Sequence, residues 1–303
     1  MISFFIQNFL FVLAILLIAS LSGMMSERAG IVNISIEGMM TTGALGFAII
    51  SSFSGTNNAT QLLGIIIAMI CSGLIALLHA YASVTLKADQ TIVGTAINLL
   101  ASGIALFVCT LGAFGDSASY IAGTFKAITF GVNGVMSLYI ILAIVLLIII
   151  IVFFNFTKIG MRYAAVGENP NAIDAAGISV IKYRYIALFI SGLLAGLAGA
   201  IYVVTLSPLA FYGDVRGFGF LALAIMICGQ WRPTYIFLVS ILFALLFSLA
   251  TYITNFTDNS WIKNNLILFK ILPFIGSLLV MIIFSKRSKM PKADGIPFDK
   301  SLR

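Results

Sequence analysis

Glu37 is the residue in this sequence that most demands a chemical explanation. It lies within the apolar run "IVNISIEGMMTTGALGFAII" (31–50), where a carboxylate needs a partner, a proton or water. Asn33, Glu37 and Thr41 recur at i, i+4 and i+8, and a helix starting near 31 stacks them on one face. Thr91, Thr95, Asn98 and Ser102 do the same at i, i+4, i+7 and i+11 in the run 91–110. Both stripes are expected to point into a bundle, because each such residue is costly against lipid. They serve either as interhelical hydrogen bonds, worth about 1 kcal/mol or less each, or as the lining of a hydrophilic path. Catalysis lacks its parts: there is no GxSxG, no HExxH, no Walker A lysine and no pair of acids at useful spacing. His79 is the single histidine and has no clustered acids, so no metal centre is expected. Cys71, Cys109 and Cys228 lie in separate apolar runs and read as small buried hydrophobes.

Membrane helices must carry these side chains. The 303-residue chain is 61% hydrophobic and 9% charged, whereas a soluble domain has about a quarter of its residues charged. Its apolar runs are continuous over roughly 20 residues, the length of a spanning helix, and do not alternate as barrel strands do. About nine are present, near 4–23, 31–50, 62–80, 91–110, 135–157, 185–206, 217–229, 234–255 and 266–285. The expected fold is all-α, a polytopic transmembrane bundle of about 8–10 spans with one or more broken helices. The bundle occupies 1–285 and a basic tail 286–303. The first run has no basic leader and is long enough to span, so it reads as a retained helix and not a signal peptide. Lys and Arg set the orientation. Six of them follow Phe284, which puts the tail in the cytoplasm together with the 158–184 loop, Lys87 and Arg232. Counting back places the N-terminus outside. The net charge of +7 falls between the spans, so the expected contact is membrane lipid and not nucleic acid.

Run seven, "GFGFLALAIMICG", is too short to cross a core of roughly 30 Å at 1.5 Å per residue. It is either a half-helix or continues through Trp231 and Pro233 into the next run. Discontinuous helices in transporters lie where substrate passes. "ERAGIVNISIEGM" (27–39) and "DVRGFGFLALAIM" (214–226) echo each other weakly and are expected to begin on opposite sides of the membrane. In "SGLLAGLAGA", Ser191, Ala195 and Gly199 form one small-residue ridge and Gly192, Gly196 and Ala200 its neighbour, a face for close helix packing. Between two long runs lies "AAVGENPNAIDAAGI" (164–178). Asn169 caps, Pro170 takes the first helical position, and Gly177 supplies a left-handed end, which predicts a helix of about seven residues. Ala172, Ala175 and Ala176 leave one face bare, with Asp174 also exposed. A helix resting on headgroups would carry large anchors; this one has only Ile173.

The segment from Gly160, "GMRYAAVGENPNAIDAAGISVIKYRYIALFISGLLAGLAGAIY", resembles the coupling loop and following helix of ATP-binding cassette (ABC) importer permeases. The subgroup is the branched-chain amino acid, ribose and nucleoside type, in its shorter paralogue. "SERAGIVNISIEGMM" (26–40), "LKADQTIVGTAINLLASG" (86–103), "RGFGFLALAIMICGQWRP" (216–233) and "GIPFDK" (295–300) extend the likeness along the chain in order. The resemblance implies a subunit of a bacterial plasma-membrane importer without chemistry of its own. Its implied partners are an ABC ATPase that binds ATP and Mg2+, a second paralogous permease, and an extracellular or periplasmic substrate-binding lipoprotein. It implies coupling roles for Gly167, Glu168, Asn169, Pro170, Asp174, Ala175, Ala176 and Gly177. It also implies pathway roles for Asn33, Glu37, Asn98 and Phe218, to which the polar stripes add Thr41 and Thr95. Nucleosides are the implied substrate, with simple sugars or riboflavin as alternatives. A secondary transporter working alone is the competing class; it would need buried ionisable pairs, and only Glu37 offers itself.

Overall fold

In the computed structural model, the residues described are 2–53, 57–111, 120–130, 135–256, 271, 274–276, 278, 282 and 289–299. The run near 266–285 lies almost wholly outside them. In chain order the helices are α1 (Ile2–Glu27), α2 (Ile36–Phe53), α3 (Asn58–Ala80), α4 (Gln90–Thr110), α5 (Leu138–Phe156), α6 (Lys158–Glu168), α7 (Pro170–Ala175), α8 (Val180–Leu206), α9 (Phe218–Cys228) and α10 (Pro233–Phe256). Among the described residues, seven are long and apolar enough to cross a membrane: α1 to α5, α8 and α10. The two-residue strands β1 (Ile121–Ala122), β2 (Thr129–Phe130), β3 (Met136–Ser137) and β4 (Ala210–Phe211) form two antiparallel pairs. Ile121 faces Phe211 in one, and Thr129 faces Ser137 in the other.

Local chemistry sets the helix starts. Asn57 accepts from Ala59 N at 3.0 Å to begin α3, and Asp89 accepts from Thr91 N and Ile92 N at 2.8 and 3.0 Å to begin α4. A π-helical turn, Tyr81–Thr85, closes α3.

α8 is the centre of the bundle and packs on α1, α2 and α3. Its small-residue ridges explain how. A Cβ on Gly196 would stand 2.5 Å from Ala68 O, and one on Gly192 would stand 2.9 Å from Ser72 O, so α3 lies directly against this face. A Cβ on Gly199 would collide with Met40 O, and Gly43 meets Gly196 backbone to backbone, so α2 takes the neighbouring face. At Ser191, nearer the start of α8, the chain meets α1, where Ser22 donates to Ser191 O at 2.8 Å.

Two expectations change. α2 begins at Ile36 and not near 31, so Asn33 precedes the helix and does not share a helical face with Glu37 and Thr41. Residues 28–31 turn back onto the last carbonyls of α1, and beyond them Val32 N and Ile34 O bond to the side chains of Gln90 and Asn98, so no helix forms before Ile36. Secondly, the α4 stripe does not all turn inward. Asn98 is buried, whereas Thr91 and Thr95 are exposed and Ser102 is half-buried. Thr95 returns its hydroxyl proton to its own helix, at Thr91 O and Ile92 O (3.1 and 2.9 Å), which removes the need for an inward partner.

Candidate functional site

Run seven is a half-helix. α9 has 11 residues, about 16 Å at 1.5 Å per residue. It ends at Gly229, and Gln230 and Trp231 then take left-handed backbone (φ 52° and 54°) before Pro233 opens α10. Left-handed backbone at a tryptophan is strained. It is held by burial of the ring and by the indole N–H, which donates to Glu27 Oε2 at 2.6 Å.

The other end of α9 carries the chemistry predicted around Glu37. Gly217, with φ 81°, turns the chain into the helix. Gly217 N donates to Glu37 Oε1 at 2.7 Å and Gly219 N to Glu37 Oε2 at 2.6 Å. The carboxylate thus meets the exposed N–H groups and the positive end of a helix dipole in the interior of the bundle. A Cβ on Gly219 would stand 2.5 Å from the Glu37 backbone, so that glycine is what admits the acid. The two stretches expected to echo each other lead into their helices at different offsets, and they meet here.

Around this pair the broken segment is tied down by buried side chains. Asn98 Oδ1 accepts from Gly38 N at 2.8 Å, and its Nδ2 donates to Ile34 O at 3.0 Å. Asn33 Nδ2 donates to Ser191 Oγ at 2.9 Å, and Ser35 Oγ donates to Asn33 Oδ1 at 2.6 Å. Ser35 has then given its one proton, so the 2.8 Å contact with His79 Nδ1 has the imidazole as donor. Among the described residues no group of His, Cys, Asp and Glu could hold a metal ion. Thr41 is fully buried, and its hydroxyl finds no partner among the described residues. Phe218 sits edge-on between Tyr202 and Phe247, with centroids 5.3 and 5.1 Å away. It borders a cavity of about 360 Å3 that Phe247, Phe274, Arg216, Thr251 and Asn255 also line.

At the end of the bundle where α1 stops lies the 158–184 loop. It holds α6, which sequence reasoning missed, and α7. α7 has six residues, one fewer than expected, because Ala176 already leaves the helix. Asn169 Oδ1 accepts from Ala172 N at 3.1 Å, Ile178 N reaches Ile173 O at 3.2 Å, and Gly177 is left-handed at φ 79°, as the capping residues predicted. Ala172, Ala175, Ala176, Gly177, Glu168 and Asn169 are exposed; Pro170 and Asp174 are half-buried, and Gly167 is buried. Gly167 admits the end of α1: a Cβ there would collide with Arg28 O. Tyr163, in α6, hands its hydroxyl proton to Met25 O, which fixes α6 to the end of α1.

The tail, read from the sequence as a basic cytoplasmic segment, reaches this loop. Residues 291–299 fold back over the loop. Ala293 N donates to Gly167 O at 2.8 Å, and Arg184 Nη1 donates to Ile296 O at 3.0 Å. Phe298 packs on Val166 and Val180, with Ile173 of α7 against the same cluster. Lys87, before α4, pairs with Asp299 at 2.6 Å. Asp294 is buried beside Glu27, and burial followed by that neighbouring charge pushes its carboxyl up to about 9. The signal was there in part: "GIPFDK" stood out, but nothing local said what it would touch.

A half-helix capped by an acid thus lies within a bundle of membrane-spanning helices that displays a short capped helix at one end. The chain belongs to the family described as branched-chain amino acid transport system / permease component, which matches residues 5–283. It is 41% identical to the uncharacterized protein MG121 of Mycoplasma genitalium, over 98% of both chains. It is 34% identical to the guanosine ABC transporter permease protein NupQ of Bacillus subtilis, over 95% of this chain and 94% of that one. It is 31% identical to the nucleoside ABC transporter permease protein NupC of Lactococcus lactis, over 98% and 96%. No solved structure matches it. The protein is thus a permease subunit of the ABC class.

Proposed function

We propose that this chain forms part of the translocation path of a nucleoside importer, driven by ATP hydrolysis in a separate ATPase subunit that grips α7. The observation that carries the reading is α7 itself. It is capped at both ends, carries Ile173 as its one large apolar side chain, and turns a bare alanine face to solvent. Such a face lets the backbone of another protein come close, whereas a helix made for lipid headgroups carries large and basic anchors. Gly167, Glu168, Asn169, Pro170, Asp174 and Gly177 shape its entry and exit. The names of NupQ and NupC support nucleosides as the substrate class. So do the three phenylalanines around the 360 Å3 cavity, whose rings suit a base.

In this reading Glu37, Asn33 and Asn98 hold the broken segment beside the path, and Thr41, Phe218 and the exposed Thr95 face it. A second paralogous permease closes it from the other side. The Lys and Arg pattern places the 158–184 loop and the tail in the cytoplasm of a bacterium, and a substrate-binding lipoprotein docks at the far end. ATP binding draws the nucleotide domains together and displaces α7. Because α6 and α8 are continuous with it, the bundle shifts between two access states.

The test uses the complex in ATP-loaded vesicles with radiolabelled guanosine, glucose and riboflavin. Ala175→Trp adds bulk where the single chain has only solvent. It is expected to cut ATP-driven guanosine uptake by about tenfold or more at unchanged membrane level. Normal uptake in that variant would sink the coupling role. Uptake of glucose or riboflavin in place of guanosine would overturn the substrate, and gradient-driven uptake by the lone chain without ATP would overturn the class.

A further inference from the structure

Two arginines stand at one open cleft at the same end of the bundle as the 158–184 loop. The cleft holds about 470 Å3 between the ends of α5 and α10, with Arg28, Arg232, Phe154, Asn155, Thr234 and Tyr235 on its walls. Arg28 lies over the Phe154 ring at 5.2 Å and Arg232 over Tyr235 at 5.7 Å, so aromatic faces hold both guanidinium groups in place. Among the described residues neither is within 4 Å of a carboxylate, since the only such ion pair is Lys87–Asp299. Arg232 repels Arg28, and Glu168 is the acid whose charge reaches it. Arg28 Nε is buried and has no partner among the described residues. The first turn of α10 opens into the same space, so its free N–H groups add to the positive field.

The cleft does not stop at the charges. Tyr235 also borders a second cavity of about 230 Å3, whose other walls include Cys228, Leu238 and Val239. Beyond it, exposed Leu242, Leu245 and Leu249 continue the same face of α10. A paired cation site at the foot of an exposed apolar face of a membrane-crossing helix fits one chemistry: a phosphate with acyl chains attached.

We infer that this cleft binds an anionic phospholipid, with the phosphate between Arg28 and Arg232 and an acyl chain along α10. The site is separate from α7 and from the cavity at Phe218, so it stands or falls independently of the transport reading.

The test is native mass spectrometry of the purified full chain from micelles with equal phosphatidylglycerol and phosphatidylcholine. Phosphatidylglycerol should be retained in preference by about tenfold or more. Arg232→Gln should lower the preference about fivefold, the equivalent of one charge at a membrane surface, and Arg232→Lys should restore most of it. Arg28→Gln with Arg232→Gln should bring the two lipids to parity. Equal retention by the unmodified chain, or full preference in the double variant, overturns the site. Displacement of the lipid by millimolar inorganic phosphate or guanosine monophosphate overturns the lipid in favour of a soluble phosphate ester. Should the double variant fail to fold, the Gln and Lys variants at Arg232, an exposed position, decide the question alone.

Discussion

Removing the carboxylate of Glu37 should unlatch the start of α9. Glu37→Ala leaves the half-buried Gly217 N and the buried Gly219 N, now bonded at 2.7 and 2.6 Å, without their acceptors. Each orphaned donor costs about 1–3 kcal/mol, and the lost favourable charge at the helix end adds about 1 kcal/mol more. The close packing of Gly219 on the Glu37 backbone leaves little room for water or collapse to compensate. A total of about 4 kcal/mol corresponds to an opening equilibrium several hundredfold more favourable. Glu37→Gln keeps one acceptor and turns an amide against the other N–H, so about half of that is expected. Hydrogen exchange of the purified full chain reads this directly, in peptides covering Gly217–Leu221. Exchange there should accelerate strongly in Glu37→Ala and less in Glu37→Gln, while a peptide from the centre of α8 stays unchanged. Protection of α9 within about threefold of the unmodified chain in Glu37→Ala would refute the capping argument.

Three further outcomes follow from packing and charge. The Asp294 carboxyl stands near 9 when folded against 3.8 unfolded, so its contribution is complete in acid and is lost as pH rises from about 4 to 9; limited proteolysis of the tail should be faster at pH 9 than at pH 6, and Asp294→Asn should flatten that difference. Gly199→Ala pushes a methyl into Met40 O and should destabilise the chain by about 1–3 kcal/mol, whereas Gly103→Ala, with nothing within 4 Å of the new Cβ, should not lower the thermal midpoint in detergent. Truncation after Met290 removes the strands of contact from Ala293, Ile296 and Phe298 to the loop and should raise proteolytic cleavage within 164–178 while α8 stays protected.

What could be read beforehand was local. Capping chemistry located α7 to within one residue, because Asn169, Pro170 and Gly177 act on their own backbone. Length marked run seven as too short to span but left open whether it continued into α10; the left-handed backbone at Gln230 and Trp231 decides for a half-helix. Small-residue spacing found the packing face of α8, since close approach leaves a mark on composition. The demand of Glu37 for a partner was legible, but the partner was not: Gly217 lies 180 residues away, and a backbone N–H has no letter in the sequence. Helical spacing misled at Asn33, where a tertiary bond to Ser191 and a local one from Ser35 prevail over helix formation. It misled again at Thr95, whose hydroxyl is satisfied by its own helix. The tail was hidden for the same reason as the Glu37 partner, because Gly167 and Arg184 meet it through backbone carbonyls and amides.

Glu27 and Glu37 hold α9 at its two extremities, one through Trp231 and the other through Gly217 and Gly219. The nine residues between these acids therefore act as a ruler. Fully extended they would reach about 30 Å, yet the object being measured is about 16 Å long, so their folded path is set to its length. Substitution within 28–36 changes one contact at a time. Insertion or deletion of a single residue there moves one anchor relative to the other and affects both ends of the half-helix together. Length, more than identity, is what this connection has to preserve.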